Sequence, residues 1–498
     1  MRQLSALDGQ FLDFETEANV ANVAGLAILE CEVSRDELFV LLKERLGRIE
    51  QLRRRLRDVP FRLDRPYWVA DAEVDLDYHL RELALPPPGD DAQLGEQVAR
   101  LHERRLDRGR PLWEMYLIQG LAGGRSAVYT KLHHAAVDGL GGADVLAALM
   151  DASAEPGGEP AGLPAGPADE PAGTPLEPSR GPVPPDPPPG LPWMLARSAA
   201  HALAGPVHGL RFLAGALPRL DEIPVVSRLP GAGQVSRFTR WLGGRPLPEL
   251  PHPPVPRTPL SGPISAHRRF AFAELSLDDV KRVKNAFGVT VNDVVMTLAA
   301  GALRRWLAAR DALPAEPLIA GVPFSLRGPG GPERGGGGLE HGNQITIMTV
   351  PLPTHVADAR RRLDEVHASM KRLKTHADPV PAGWLREFTE SLPAALTGLA
   401  DRAAFALIGQ AAPPMNLIVS NVPGPQVPLY VAGVRLLAHY PVSVVTGVSG
   451  GLNITVFSYD GRLDVGIIAC REMVPDVWAV PGYLKEALKE LTALVDTA

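Results

Sequence analysis

The sequence predicts an α/β protein with two α/β units, and three observations support this fold class. Residues 1–150 and 256–498 each alternate strand-like and helix-like patterns. Residues 151–190 separate these units and are roughly one-third proline, a composition typical of a solvated spacer. The length of 498 residues also exceeds one ordinary domain, since domains hold roughly 100–200 residues.

In the first unit, alternating apolar residues predict strands, and apolar residues at helical spacing predict helices. The strands are expected over residues 20–29 and 125–132, and the helices over residues 35–56, 93–106 and 142–150. Residues 151–190 follow as the linker, and residues 191–255 are interpreted as a helical connector. Two interpretations of the apolar residues 193–220 remain open: a helix pair that covers the core, or an interfacial segment that contacts lipid.

The second unit, residues 256–498, begins with a clear helix signal. Ser276 precedes two aspartates and is expected to cap a helix that ends at Gly288. Asp460-Gly461 predicts a two-residue turn between two strands. The remaining elements are expected as helices over residues 291–310, 356–373 and 475–495, and as strands over residues 318–322, 344–350, 415–420, 452–459 and 463–469.

Charge and cysteine content exclude several classes of protein. Lys and Arg total 51 against 57 Asp and Glu, and this net charge of −6 argues against an extended nucleic-acid surface. Cys31 and Cys470 are too few for a disulfide framework or a zinc cage, and both are expected to be small buried residues. We find no secretory signal and no apolar run of about 18 residues. We therefore expect a cytoplasmic protein, which can still rest on a membrane surface.

The strongest local signal is the run His133-His134-Ala135-Ala136-Val137-Asp138-Gly139, directly after a predicted strand. A strand end holds a side chain rigidly, and a neutral imidazole there can accept a proton near pH 7. Asp138 could fold back to orient a histidine, or it could pair with an arginine and lock the loop. The alternative to a catalytic role is a buried histidine pair that hydrogen-bonds backbone groups. Metal binding is disfavoured, since adjacent histidines on a strand point in different directions.

This HHxxxDG pattern is the hallmark of the superfamily of chloramphenicol acetyltransferase, carnitine acyltransferases and peptide-synthetase condensation domains. Within it, the sequence resembles bacterial wax ester synthase/diacylglycerol acyltransferases over nearly the whole chain except residues 151–245. Several further motifs stand in the family order. They are Leu4-Ser5-Ala6-Leu7-Asp8-Gly9-Gln10-Phe11-Leu12, Pro111-Leu112-Trp113, Val291-Asn292-Asp293-Val294, Gly342-Asn343-Gln344 and Ser420-Asn421-Val422-Pro423-Gly424-Pro425.

The resemblance implies two chloramphenicol-acetyltransferase-like α/β sandwich domains with an active-site tunnel between them. It implies acyl transfer from acyl-CoA, as co-substrate and without a further cofactor, to diacylglycerol or a long-chain alcohol. His134 would be the general base, His133 would support the loop and Gly139 would permit the turn. Asp138 would structure the loop by bridging to an arginine. By similarity, the candidate arginine is Arg53. The alternative interpretation of Arg53 is that it belongs to a solvated, basic end of a helix.

The motifs also imply substrate-binding roles for Asn292, Trp113, Asn343 and Asn421. Each has a structural alternative: a helix cap for Asn292, the core for Trp113, and backbone capping in loops for the other two. The expected partners are acyl-CoA, the acceptor lipid and a peripheral membrane or lipid-droplet surface, reached through residues 191–220 or 384–408. Two other functions remain open. One is a condensation-type transferase that uses carrier-bound acyl groups, and the other is a non-catalytic lipid-binding or droplet-coating protein.

Overall fold

The computed structural model describes residues 2–71, 73–137, 148–155, 190–199, 255–325, 345–375 and 414–497, together with Val145. In chain order, the strands are β1 (Arg2–Gln3), β2 (Asn22–Leu29), β3 (Arg54–Arg57), β4 (Tyr67–Ala70), β5 (Leu80–Ala84), β6 (Trp113–Leu121), β7 (Arg125–His133), β8 (Arg268–Ser276), β9 (Leu318–Ser325), β10 (Ile345–Leu352), β11 (Leu417–Val422), β12 (Tyr430–Val431), β13 (Val434–Val442), β14 (Leu452–Tyr459) and β15 (Arg462–Cys470). The helices are α1 (Ala6–Asp13), α2 (Arg35–Arg45), α3 (Leu76–His79), α4 (Asp91–His102), α5 (191–199), α6 (Leu277–Phe287), α7 (Val291–Ala308), α8 (Ala359–Thr375) and α9 (Ala479–Asp496). Mixed sheets with helices packed on them confirm the predicted α/β class.

The first large sheet has six strands in the order β12-β13-β2-β7-β6-β5. Helix α2 covers one face, where its buried Leu38 and Leu42 join Leu117 of the sheet in one apolar cluster. Helix α4 covers the other face, where Leu94 and Val98 pack in a second cluster. Because successive side chains of a strand point to opposite faces, the strands between these helices are apolar on both sides.

The second large sheet has six strands in the order β10-β9-β11-β14-β15-β8. Its main apolar cluster lies between the sheet and the helices α6, α7, α8 and α9. Helix α7 is apolar around most of its circumference and is largely buried, as expected for a helix in the interior of a layer.

Helix α4 lies between the two sheets, because it also packs against β8 of the second sheet. The approach is close at Gly95, where an added Cβ would lie 2.5 Å from the backbone oxygen of Phe270. A residue with a side chain at this position would therefore push the helix away from the second sheet.

Two strands from the second half of the sequence complete the first sheet. Strand β13 pairs antiparallel with β2, with Val442 opposite Ala24, and β12 forms the sheet edge beyond it. The division of the sequence at residue 256 therefore does not separate the two sheets, because residues 430–442 belong to the first. The apolar pattern of a single strand cannot reveal such long-range pairing, because the pairing depends on which strands meet in space.

A small third sheet has the order β1-β4-β3. The short helix α5 lies on it, where Met194 packs with Val59, Tyr67 and Val69. Trp193 also contacts Tyr67 edge-on, with 5.7 Å between ring centroids.

Two local expectations are wrong and four are confirmed. The helix expected over 35–56 ends at Arg45, since Gly47 favours a break and the chain turns through short 3₁₀ segments to bury Ile49 and Leu52. Cys31 is exposed, because β2 ends two residues earlier and the thiol lies in the following turn. Cys470 is buried as expected. The capping role of Ser276, the left-handed stop at Gly288 and the turn at Asp460-Gly461 are confirmed.

Among the described helices, none is by itself long and apolar enough to cross a bilayer. The consecutive helices α6 and α7 pass the length and composition test only as a pair bent by 106°.

Candidate active site

The histidine pair lies at the carboxyl end of β7, in the middle of the first sheet. His133 is the last residue of the strand and stands opposite Asn22 of β2. His134 is the first residue beyond it, and its backbone N–H donates to the Ala21 carbonyl at 2.8 Å. The neighbouring strand therefore fixes the backbone of His134, as the sequence predicts for a side chain at a strand end.

The ring of His133 stabilises the turn that carries His134. It is 1% exposed, and its Nδ1 accepts a hydrogen bond from the Ala135 N–H at 3.0 Å. The His133 carbonyl also accepts from the Ala136 N–H at 2.9 Å. Since Nδ1 is the acceptor, the proton of the neutral ring belongs on Nε2.

Nε2 of His133 faces a buried carboxylate. Glu15 Oε1 lies 3.6 Å away, and Glu15 Oε2 accepts from Arg108 Nη2 at 2.9 Å. Burial raises the pKa of Glu15, but the interactions with His133 and Arg108 outweigh burial and hold this pKa below its ordinary value. The carboxylate therefore stays charged beside the histidine pair.

The imidazole of His134 is half-buried and stacks on Phe11 of α1. The two ring centroids are 4.1 Å apart and the planes differ by only 10°. A face contact of this kind restrains the ring plane and leaves the nitrogens, which lie on the ring edge, oriented away from the partner.

A second polar group anchors β7 behind the histidines. Lys131 is fully buried, and its Nζ donates to Glu114 at 2.9 Å and to the carbonyls of Leu101 and Arg104 at 3.1 Å each. Asn22 donates to backbone carbonyls of the same region, those of His102 and Arg104. Both side chains thus hydrogen-bond carbonyls at the carboxyl end of α4, where a cation is also favoured by the helix dipole.

His102 belongs to this buried group and does not resemble a proton-transfer residue. Its Nδ1 lies 2.8 Å from the Tyr129 hydroxyl and its Nε2 lies 3.1 Å from the Ser443 carbonyl. Burial and the nearby cations Lys131 and Arg268 lower the pKa of His102 to about 3. The ring is therefore neutral at physiological pH.

The second sheet meets the histidine side of the first. Arg268, at the start of β8, is 4% exposed and donates to the carbonyls of Ala18 and Val445. Asn453, at the start of β14, donates to the Val444 carbonyl at 3.0 Å. Backbone that precedes β2 and backbone that follows β13 are thereby joined to one end of the second sheet.

Trp113 lies in the core of the first unit. It is 1% exposed, its Nε1 donates to the Leu52 carbonyl at 2.9 Å, and its ring stacks on His79 with centroids 4.3 Å apart. These contacts agree with the packing alternative, and its substrate-binding role stays a prediction.

The structural alternative for Asn292, a helix cap, is wrong. Thr290 caps α7 in a capping box with Asp293, and Asn292 is the second helical residue and half-buried. Asp293 Oδ2 also lies 2.8 Å from Nδ1 of His367 on α8. The carboxyl end of α7 lies near the carboxyl end of β15, because Trp306 in the last turn of α7 donates to Asp476, which follows β15. Asn292 lies at the opposite, amino end of α7. Among the described residues, no hydrogen bond joins Asn292 to either histidine.

The remaining predicted site residues are scattered or undescribed. Asn421 lies on β11, opposite Val456 of β14, and is half-buried. Arg53 donates to the Gly47 carbonyl at 3.5 Å. Asp138, Gly139 and Asn343 lie outside the described residues, and so do residues 200–220 and 384–408. The bridge between Asp138 and Arg53 therefore stays a prediction.

Sequence reasoning missed Glu15, Arg108, Lys131 and Glu114. Two of these had a signal, since Lys131 and Glu114 are single charges inside apolar strand patterns, where a charge is rare unless paired. Glu15 and Arg108 had none, because they reach the histidines only through the folded arrangement of distant segments.

Comparison with known proteins gives the same assignment for both halves of the chain. Residues 4–295 match the wax ester synthase/diacylglycerol acyltransferase catalytic domain, and residues 341–492 match the C-terminal domain of that family. A Mycobacterium tuberculosis protein named as a candidate diacylglycerol O-acyltransferase is 35% identical over 100% of this chain and 91% of its own.

Solved structures extend the likeness to the fold. A wax ester synthase/diacylglycerol acyltransferase from Marinobacter aquaeolei superimposes with a TM-score of 0.64 and 26% identity, over 99% of this chain and 100% of the other. The first condensation domain of the calcium-dependent antibiotic synthetase superimposes with a TM-score of 0.52 and 15% identity, over 99% and 97%. The second match shows the two-domain fold alone. The matched domains and the full-length relatives together show that the chain belongs to the wax ester synthase/diacylglycerol acyltransferase family.

Proposed function

We propose that this acyltransferase moves a fatty acyl group from acyl-CoA to the hydroxyl of diacylglycerol or of a long-chain alcohol, with His134 as general base. The names of the relatives supply the acceptor classes. The observation that carries the assignment of the base is the placement of His134 at a strand end, half-buried, stacked on Phe11 and fixed through its backbone.

In this reaction the acceptor oxygen attacks the thioester carbonyl and forms the new ester bond. His134 takes the hydroxyl proton as the oxygen attacks, and it returns that proton to the sulfur when the carbon–sulfur bond breaks. The products are the ester and free CoA. One positioned base is sufficient, since a thiolate is a good leaving group and a general base contributes about 10²–10⁴-fold. No acyl-enzyme is needed.

We place the two substrates in a tunnel between the sheets. This is supported by the meeting of both sheets at the histidine side, through Arg268 and Asn453. A water-poor passage there would accept the long apolar acceptor, and it would strengthen the electrostatic interactions that stabilise the transition state.

The reaction site would be fed from a membrane or lipid-droplet surface on the cytoplasmic side. Support comes from an apolar surface that we call the Phe61–Trp193 patch, formed by α5 and the turn before β4. Phe61 is 91% exposed and has a left-handed backbone with φ of 56°, which is unusual for an aromatic residue. The patch consists of the exposed Phe61, Leu63, Leu191, Trp193 and Leu195, with the exposed cations Arg57 and Arg197.

The test of the activity is an assay of purified protein with radiolabelled acyl-CoA, and with diacylglycerol or hexadecanol as acceptor. We expect labelled neutral lipid from the wild type and a loss of about 100-fold or more in kcat for His134→Ala. His267→Ala is the matched control, because that side chain is 48% exposed and pairs loosely with Glu103. Wild type without product from either acceptor would refute the activity. Full turnover by His134→Ala would refute only the base.

A further inference from the structure

We propose that the segment from Phe11 to Glu15 is a positioning element for the histidine pair. In this arrangement Phe11 fixes the ring plane of His134, and Glu15, held by Arg108, fixes the ring of His133. The inference rests on the proposed role of His134, and it assigns roles to side chains that do not themselves touch the reacting atoms.

The geometry at Glu15 supports its proposed role in fixing the ring of His133. Oε1 of Glu15 and Nε2 of His133 are both buried and lie 3.6 Å apart, and neither has a hydrogen-bond partner among the described residues. A gap of this size is too small for a bridging water, so the two atoms face each other directly. A small shift would close a hydrogen bond from Nε2–H to the carboxylate.

This contact selects one form of His133. A carboxylate at Nε2 requires the proton on that nitrogen, which leaves Nδ1 free to accept from the Ala135 N–H. The Ala135 hydrogen bond closes the turn that begins at His134. Glu15 therefore acts on His134 indirectly, by fixing the tautomer of the adjacent His133.

Arg108 fixes Glu15 in turn. Its Nη2 donates to Glu15 Oε2 at 2.9 Å and to the Leu12 carbonyl at 2.6 Å. Arg108 thus holds both the Glu15 carboxylate and the end of α1, the helix that contains Phe11. Phe11 and Glu15 lie four residues apart, so one short segment contacts both histidines.

The kinetic test compares Glu15→Ala, the conservative Glu15→Gln, Phe11→Ala and Phe11→Tyr with wild type. We expect kcat to fall by about 10-fold or more for each alanine variant, with little change in KM for acyl-CoA, because misplacing the base affects the transition state and not donor binding. Gln and Tyr should restore most of kcat, since the amide oxygen still accepts and the phenol ring still stacks. Glu17→Ala is the control, since Glu17 is exposed and only two residues away.

A spectroscopic test does not depend on activity. In ¹⁵N-histidine-labelled protein, the His133 signal, assigned by its loss in His133→Asn, should report Nε2–H in the wild type and in Glu15→Gln. It should report a tautomer mixture in Glu15→Ala. Alanine variants with wild-type kcat, or a His133 signal that Glu15→Ala leaves unchanged, would overturn the proposal. An inactive wild type with the expected tautomer shift would refute the proposed activity alone.

Discussion

At the scale of single residues, the site depends on charges that are buried in strands and paired there. Lys131 lies two residues before His133 and is fully buried. Burial lowers the pKa of Lys131, and the Glu114 carboxylate beside it opposes that effect. Such a pair stabilises the fold only while both partners are present, because one partner alone is a buried, uncompensated charge.

We therefore expect Lys131→Met to be strongly destabilising although the methionine fills a similar volume. Among the residues that the structure describes, Glu114 would keep only Tyr116 and the half-exposed Arg81 as partners. The free energy of unfolding, measured by urea titration, should fall by about 3 kcal/mol. Lys43→Met, at an exposed position of α2, should change it by less than about 0.5 kcal/mol. Equal stability of the two variants would contradict the role of the pair.

The sequence predicted the histidine pair and its place at a strand end, because a local pattern carries both. The surroundings of the pair could not be predicted in the same way. Phe11, Glu15 and Arg108 meet the histidines only after distant segments have folded together. Trp113 shows the converse, since a family motif marked it as important and its contacts are those of a core residue.

At the scale of elements, apolar periodicity located most helices and strands, and their ends were set by other forces. The helix from Arg35 ends at Arg45, ahead of Gly47, where burying Ile49 and Leu52 requires a turn. The pairing of β13 with β2 has no local signal at all. Helix α5 shows a third case, because its outer face is apolar and exposed, which periodicity alone would place against a core.

That outer face leads to a prediction about membrane binding. Removing Phe61 and Trp193 together, as Phe61→Ser with Trp193→Ser, should weaken co-sedimentation with vesicles that contain anionic lipid. Each aromatic side chain contributes about 1.5–3 kcal/mol when buried, so the partition coefficient should fall by about 100-fold or more.

The control for the patch is Val427→Ser, at a similarly exposed apolar residue in the loop before β12. Its partition coefficient should match that of the wild type. Equal binding of the double variant and the wild type would contradict the patch as the membrane contact, and the soluble acyltransferase assay would be unaffected by that result.

At the scale of the whole molecule, β13 joins the two sheets through a buried acid. The His439 N–H of β13 donates to Asp464 Oδ2 of β15 at 2.7 Å. Burial raises the pKa of Asp464 to about 7 and lowers the pKa of His439 to about 4. The other charged groups that act on Asp464 are Arg462, 4.0 Å away, and Glu274 on β8.

The pKa of Asp464 gives stability a definite pH dependence. The folded-state pKa of about 7 exceeds the ordinary value of 3.8, so the folded protein binds this proton more tightly than the unfolded chain does. The contribution to stability is therefore present at low pH and is lost as pH rises toward and through 7. His439 has the opposite sign, since its neutral form is favoured in the fold and stability is lost as pH falls from 6.5 toward 4.

Asp464→Asn should remove the pH dependence of stability that comes from Asp464 and leave the one that comes from His439. From about pH 5 to about pH 8, the free energy of unfolding of the variant should rise relative to wild type by about 2 kcal/mol. Urea titrations at both pH values measure this difference, with Asp278→Asn, at an exposed helix start, as the control. A constant difference between variant and wild type across this range would contradict the raised pKa of Asp464.

The contribution of β12 and β13 to the first sheet also limits how this protein can be divided into fragments. A gene fragment that ended before residue 430 would encode a first sheet with β2 as an open edge, bare of its partners β13 and β12. A fragment that encoded only the later half would carry two strands without a sheet to join. Neither half of the chain therefore encodes the complete first sheet, so either half expressed alone should leave strand edges of that sheet unpaired.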